Sequence, residues 1–281
     1  MVIIGTGYFL NENDSAQANE YPSKINTVIF SDAAEGSILK GFELYYSAPY
    51  SVQISANNIT FSRNRIRNHY YNSSPQGISI IADSLIGIVI ENNYIEVRCN
   101  SPYTSYAIYS NSKGLNLSIN NNYLSAYRNN YDLGKAIYLS GQSGTYSFAN
   151  NVLNGNLSSH NGAYLNNILL DGSASGTNNF YYFNLCNSTQ FGNDYGNQQN
   201  VNMSTVFVDH TSGVDNGLIL APGSPAIGTG FEGVDCGIFG GGNPYVLSGI
   251  PTIPSIFEIT HTGIGSVATP IQVNFKAKSN C

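Results

Sequence analysis

The sequence predicts an all-β fold, a parallel β-helix, and three observations predict it. A short phrase recurs at residues 59–66, 88–95, 117–124 and 146–153, and its asparagines, Asn64, Asn93, Asn122 and Asn151, stand 29 residues apart without slippage. Inside each phrase the apolar residues alternate, break at the asparagine and resume, which is the pattern of strand, tight bend and strand. A further short strand lies in each unit at 77–80, 107–110, 136–139 and 167–170, with no helical periodicity between. A fixed period of this size marks a solenoid whose units bury their apolar faces only against their neighbours. Parallel strands joined by crossovers make the coil right-handed.

The asparagine column follows from that stacking. In-register strands place equivalent side chains about 4.8 Å apart, and an amide at that spacing donates to the next carbonyl along a ladder. Asparagine also tolerates the left-handed backbone of a sharp corner. With 38 asparagines in the chain, coincidence needs weighing, but four hits at identical spacing inside identical apolar frames point to a structural ladder.

Taken in order, Val2 to Ile4 begin a strand with no polar cap before it, and an open terminal coil exposes a free strand edge and apolar core. The expectation is that further coils, or a partner chain, cover this end. Residues 11–24 are polar and irregular, an excursion from the coil. Residues 27–30 and 37–44 repeat the frame, with Phe42 where later coils carry asparagine. Loops 67–75, 100–105 and 127–132 fall at one phase and stack on one side, where a rigid scaffold concentrates recognition. After Asn151 the period is read as stretching, with Asn151 to Asn184 spanning one irregular coil of 33 residues. Residues 255–259 and 271–278 read as two strands after a proline-rich turn that redirects the chain, a cap on the end or flank. The organisation is one continuous domain: the β-helix over 1–248, then the turn and capping strands over 249–281.

Charged residues make up only 10% of the chain, and the formal net charge is −6 with 11 Lys and Arg. That leaves no footprint for nucleic acid or an anionic membrane, and no apolar run approaches a membrane span. The first residues lack the basic start and apolar core of a signal peptide. Cys99, Cys186, Cys236 and Cys281 allow three connectivities that sequence does not choose among, and none has a metal-ligand spacing. Neither metal nor cofactor is expected.

The run from Leu218 to Gly230, with Pro222, Gly223, Ser224 and Pro225 at its centre, and the following Gly233-Val-Asp235-Cys-Gly segment resemble the closing signature of secreted bacterial right-handed parallel β-helix proteins of pectate-lyase-like architecture. The continuation from Asn243 to Pro254 is similar to Bacteroidetes versions, and residues 2–64 are similar to such proteins as well. The resemblance implies an extracellular or cell-surface location and raises carbohydrate-active enzymes, although fold alone does not license activity.

The residues do not supply that chemistry. An inverting glycosidase needs paired carboxylates on adjacent coils, and no Asp-Asp pair occurs. For a calcium-dependent lyase the candidates are Asp83 and Asp171, read at nearly the same phase about three coils apart, with Arg98; at roughly 14 Å they do not share one metal. His69, His160, His210 and His261 share no phase. No catalytic residue is assigned. The aromatic pattern stands out instead. Arg65, Tyr94 and Tyr123 follow successive ladder asparagines and point outward by alternation, and Tyr109 and Tyr138 align on the other strand. Such files offer apolar faces and polar tips to a sugar or a protein, though aromatics also favour strands for packing alone. The sequence reading is therefore a rigid binding or structural β-helix contacting glycan or a neighbouring subunit. The alternatives are a polysaccharide lyase or glycoside hydrolase with a divergent site, and a self-assembling fibre subunit.

Overall fold

The computed structural model describes residues 1–45, 47–129 and 132–278. The chain is a right-handed parallel β-helix with three parallel sheets along its length, followed by an antiparallel hairpin. The first sheet runs from Val2–Ile4 through Thr60–Ser62, Ile88–Glu91, Asn116–Asn120 and Thr145–Ala149 to Phe180–Tyr182. The second, reached by the ladder corner, includes Phe42–Tyr45, Arg65–His69, Tyr94–Cys99, Tyr123–Arg128, Val152–Asn154 and Ile168–Asp171. The third includes Tyr50–Ile54, Gln76–Ile80, Tyr106–Ser110, Lys135–Leu139 and Asn156–Ser158. Ile, Leu, Val and Phe side chains from all three meet in one apolar column, with Ile66, Ile90, Ile95, Ile108, Leu124 and Phe148 fully buried.

The ladder is longer than the sequence phrase showed. Asn64, Asn93, Asn122, Asn151, Asn167, Asn184 and Asn197 form one file. Asn122 shows the design. Its Oδ1 accepts from the backbone N–H of Asn93 at 2.9 Å and from Asn93 Nδ2 at 3.0 Å, while its own Nδ2 donates to Ile90 O at 2.8 Å and to Asn151 Oδ1 at 3.1 Å. One buried side chain thereby serves the coil before it and the coil after it. The corner itself is made by the preceding residue, since Asn92, Asn121, Asn150 and Asn166 all have φ between 54° and 57°. The paired asparagines thus divide the work: the first takes the left-handed turn, the second enters the ladder.

After Asn151 the coils contract, and the reading of one stretched coil is corrected to two short ones. Ladder steps of 29 residues give way to 16 and then 17. Residues 167–170 do not belong to the third sheet; Ile168–Asp171 lies in the second, directly after a ladder asparagine. The missing length is the loop between the second and third sheets. Gly155 and Gly172, with φ of +141° and +130°, turn there in place of the long loops of earlier coils, a backbone that a side chain would strain. Asp171 accordingly pairs in register with Asn154 on the second sheet, while Asp83 accepts a bond from the Lys113 N–H in a turn beyond the third. The expectation that these aspartates share a phase is overturned, and with it the lyase candidate built on them.

Residues 203–250, which the sequence reading left within the helix, form 3-10 turns laid over the outer face of the second sheet. A second apolar cluster fills that interface, joining Tyr94, Tyr123, Val152 and Ile168 of the sheet to Phe207, Leu218, Ala226, Ile238 and Tyr245 of the cover, with Tyr8 and Phe9 from the N-terminal segment. The corner asparagines pin the cover: Asn121 Nδ2 donates to Ile238 O and Gly240 O at 2.9 and 2.8 Å, and Asn166 Oδ1 accepts from the Phe231 N–H at 2.8 Å. Asp215, fully buried, ties both ends of this layer. It accepts from Asn13 Nδ2 at 2.7 Å, from the Ser248 N–H at 2.6 Å and from Tyr245 OH at 3.1 Å. Burial raises its acid constant above the ordinary carboxylate value, and these hydrogen bonds offset that only in part.

The hairpin of Ser255–His261 and Val273–Lys278 rests on the N-terminal flank, where Ala18 N–H donates to Ile256 O, and its remaining surface is largely exposed. At the same end Val2–Ile4 pairs, among the described residues, only with Ile38–Lys40, and Val2, Ile3 and Ile4 are exposed. Cys99, Cys186 and Cys236 are buried free thiols, and Cys281 lies outside the described residues.

Two stability outcomes follow. Asn122→Ala strips hydrogen-bond partners from both neighbouring coils and is expected to cost about 3 kcal/mol or more in urea denaturation, whereas Asn100→Ala, at an exposed residue whose side chain makes no hydrogen bond among the described residues, is expected to cost under about 1 kcal/mol. Asp215→Ala removes an acceptor shared by three donors and leaves the Ser248 N–H without its partner. Because the folded acid constant of Asp215 is raised, its stabilising contribution is complete below the unfolded carboxylate range and is lost as pH rises through the folded value. The gap between wild type and Asp215→Ala is therefore expected to narrow from acid toward neutral pH in a denaturation series.

Candidate functional site

Alternation along the second sheet points Arg65, Tyr94 and Tyr123 outward, as the spacing implies, but none of them reaches solvent freely. Tyr94 and Tyr123 are 3% and 5% exposed, their rings 4.5 Å apart, with the Phe9 ring edge-on to Tyr94 at 5.0 Å. The Arg65 guanidinium sits 3.8 Å above the Phe9 ring and 3.5 Å from Glu43 Oε1. Burial raises the acid constants of both tyrosines, so they stay neutral packing groups. These three residues hold the cover in place. The signal that would have revealed it is Phe9, an aromatic between the first strand and the irregular stretch 11–24 to which the sequence reading gave no role.

Tyr109 and Tyr138 have a different fate. They are in register on adjacent strands of the third sheet, half-buried and uncovered, with ring centroids 5.5 Å apart and planes within 17°. Tyr106 meets Tyr109 edge-on at 4.9 Å, and Lys135 Nζ lies 4.4 Å from the Tyr138 ring. Asn111 donates to Tyr109 OH and accepts from Ser140 Oγ, which fixes the orientation of that phenol. In register, one outer file of this sheet reads Tyr50, Gln76, Tyr106, Lys135 and Asn156, and the next Gln53, Ser79, Tyr109, Tyr138 and Ser158. Apart from Ile29, exposed at the start of the second file, tyrosines, amides and hydroxyls make up these two files with one ammonium and no carboxylate.

A second feature lies on the second sheet, where the cover stops short. The next outward row, beyond Tyr94 and Tyr123, opens into a groove of about 440 Å³ floored by Glu96, Arg98, Tyr127 and Asn154. His69 Nε2 lies 2.9 Å from Glu96 Oε1, and Arg98 Nε lies 3.2 Å from the same oxygen without hydrogen-bond geometry, an ion pair only. Burial works to raise the Glu96 acid constant, but the His69 hydrogen bond and the charges of Arg98, His69 and Arg67 together outweigh it and hold this carboxyl below its ordinary value. All five arginines of the chain lie on or next to strands of this sheet. Arg63 and Arg65 are spent on the closing layer, Arg63 donating to Ile250 O at 2.9 Å. The sequence reading missed the groove because its far wall, residues 210–213, comes from the cover.

With its acid constant held below the ordinary value, Glu96 lacks the raised constant that the acid of a glycosidase needs. Among the described residues no three His, Cys, Asp or Glu side chains gather as a metal site would require, and no helix is long and apolar enough to cross a membrane. No family model, no curated protein and no solved structure matches the chain.

Proposed function

We propose that the protein is an extracellular or cell-surface β-helix that binds glycan on the outer face of its third sheet. The observation that carries this reading is the stacked pair Tyr109 and Tyr138, uncovered on a rigid sheet and oriented by their neighbours. Tyrosine presents an apolar body and a polar tip; with their faces turned to each other and to Lys135, these rings offer their edges and phenol tips to a saccharide, while amides and hydroxyls around them meet its hydroxyl groups. A scaffold of paired strands holds these groups in place before the ligand arrives, which lowers the ordering cost of binding. With no carboxylate in the two outer files, the face is equipped to hold a saccharide and lacks the acid and base that would cleave one.

End-to-end association is a second reading, favoured by the strand edge at Val2–Ile4, whose outer side is unpaired among the described residues and carries exposed apolar side chains. Light scattering across a concentration series separates the two. Growth into oligomers that an Ile3→Lys substitution abolishes supports association, and a constant monomer mass at all concentrations contradicts it.

For glycan binding, the test is affinity electrophoresis and calorimetry against a panel of soluble neutral and acidic polysaccharides. The Tyr109→Ala, Tyr138→Ala double variant is expected to keep its melting behaviour within a few degrees and to lose about tenfold or more in affinity. Equal binding by the double variant, or no binding by wild type across the panel, would overturn the assignment.

A further inference from the structure

The groove beside the closing layer has the chemistry of a second ligand site. Glu96 and Asp171 stand on its floor and wall, three strands apart on the second sheet, which at about 4.8 Å per strand sets them roughly 14 Å apart along the axis. Each carboxylate has one oxygen committed. Glu96 Oε1 takes the His69 bond and the Arg98 contact, and Asp171 Oδ1 accepts from the Gly172 N–H at 2.8 Å and from Asn187 Nδ2 at 3.3 Å. Among the described residues no hydrogen bond is made to Glu96 Oε2 or Asp171 Oδ2. Two rigid carboxylates thus keep an acceptor atom each, and Tyr127 lies between them. Its phenol oxygen accepts from Asn154 Nδ2, which leaves its own O–H to donate.

The chemistry asked of a ligand is therefore specific. It must offer donors at both ends, accept at the middle, and carry no anionic group, because Asp171 faces the groove with no cation paired to it among the described residues and only Glu96 has an arginine beside it. Spaced hydroxyl groups meet these conditions. A lone cation does not, since among the described residues no third acidic or imidazole ligand gathers at either carboxylate. The volume of about 440 Å³ lies within the range of roughly 300–1,000 Å³ typical of small-ligand sites. We infer that this groove is a binding site for a short neutral oligosaccharide, with Glu96 and Asp171 accepting its hydroxyls and Tyr127 donating to it. The site lies on a different sheet from the tyrosine platform and stands or falls separately from it.

The test uses the full chain carrying Tyr109→Ala and Tyr138→Ala, so that sugar bound at the platform does not contribute. Saturation-transfer NMR and calorimetry are run with cellotriose, xylotriose, mannotriose and maltotriose. Binding of at least one is expected, weakened about tenfold or more by Glu96→Gln or Asp171→Asn. Thr211→Tyr, placed on the exposed wall and outside the ionic cluster, is expected to fill the groove and abolish binding while leaving the melting curve unchanged. The inference is overturned if none of the four sugars binds in this background, or if binding persists undiminished in Thr211→Tyr. It is also overturned if the two carboxylate variants, shown folded by their melting curves, bind as the parent does.

Discussion

The interaction on which the rest depends is the hydrogen bonding of the buried asparagine file. A tight corner between two strands leaves backbone groups turned into the coil, where no water reaches them, and an unpaired buried amide or carbonyl is costly. Each ladder asparagine satisfies such groups in two coils at once. It accepts from the corner N–H of the coil before and donates to that coil's carbonyl, then passes a second amide hydrogen onward. The corner can therefore be sharp, and it can repeat at one place in the cross-section. Because the corner is fixed, the second sheet begins in register in every coil, and the outward side chains fall into files.

Those files then meet different environments, and the environment decides what each can do. On the second sheet the first outward row is sealed by residues 203–250 and by Phe9, so its tyrosines and Arg65 are packing groups. The row beyond that seal stays open and polar. On the third sheet nothing among the described residues covers the outer face at Tyr109 and Tyr138, and the same residue type becomes a surface. The corner asparagines link these outcomes, since the amides of Asn121 and Asn150 reach outward to carbonyls of the cover while their neighbours build the ladder inside.

Much of this was legible in the chain. The 29-residue spacing of Asn64, Asn93, Asn122 and Asn151 carries the fold class, because identical apolar frames at one spacing allow only stacked strands. The short coils were misread for a physical reason: two glycine turns, at Gly155 and Gly172, remove a whole loop each, so a period search sees irregularity where the coil has become tighter. Outward orientation was readable from alternation, but exposure was not, since it depends on a segment more than 80 residues away in sequence, as the bond between Asn121 and Ile238 shows. The groove was invisible for the same reason. It is formed where Glu96 and Asp171, two coils of one length and one of another apart, come under a wall contributed by residues near 211.

The central claim is that one aromatic file is open to ligand and the other is sealed. Hydroxyl-radical footprinting with and without a bound polysaccharide reads both at once. The account predicts that Tyr109 and Tyr138 are modified in the free protein and protected by the polysaccharide, while Tyr94 and Tyr123 resist modification in either state. Rapid labelling of Tyr94 and Tyr123, or labelling of Tyr109 and Tyr138 that a bound polysaccharide leaves unchanged, would contradict it.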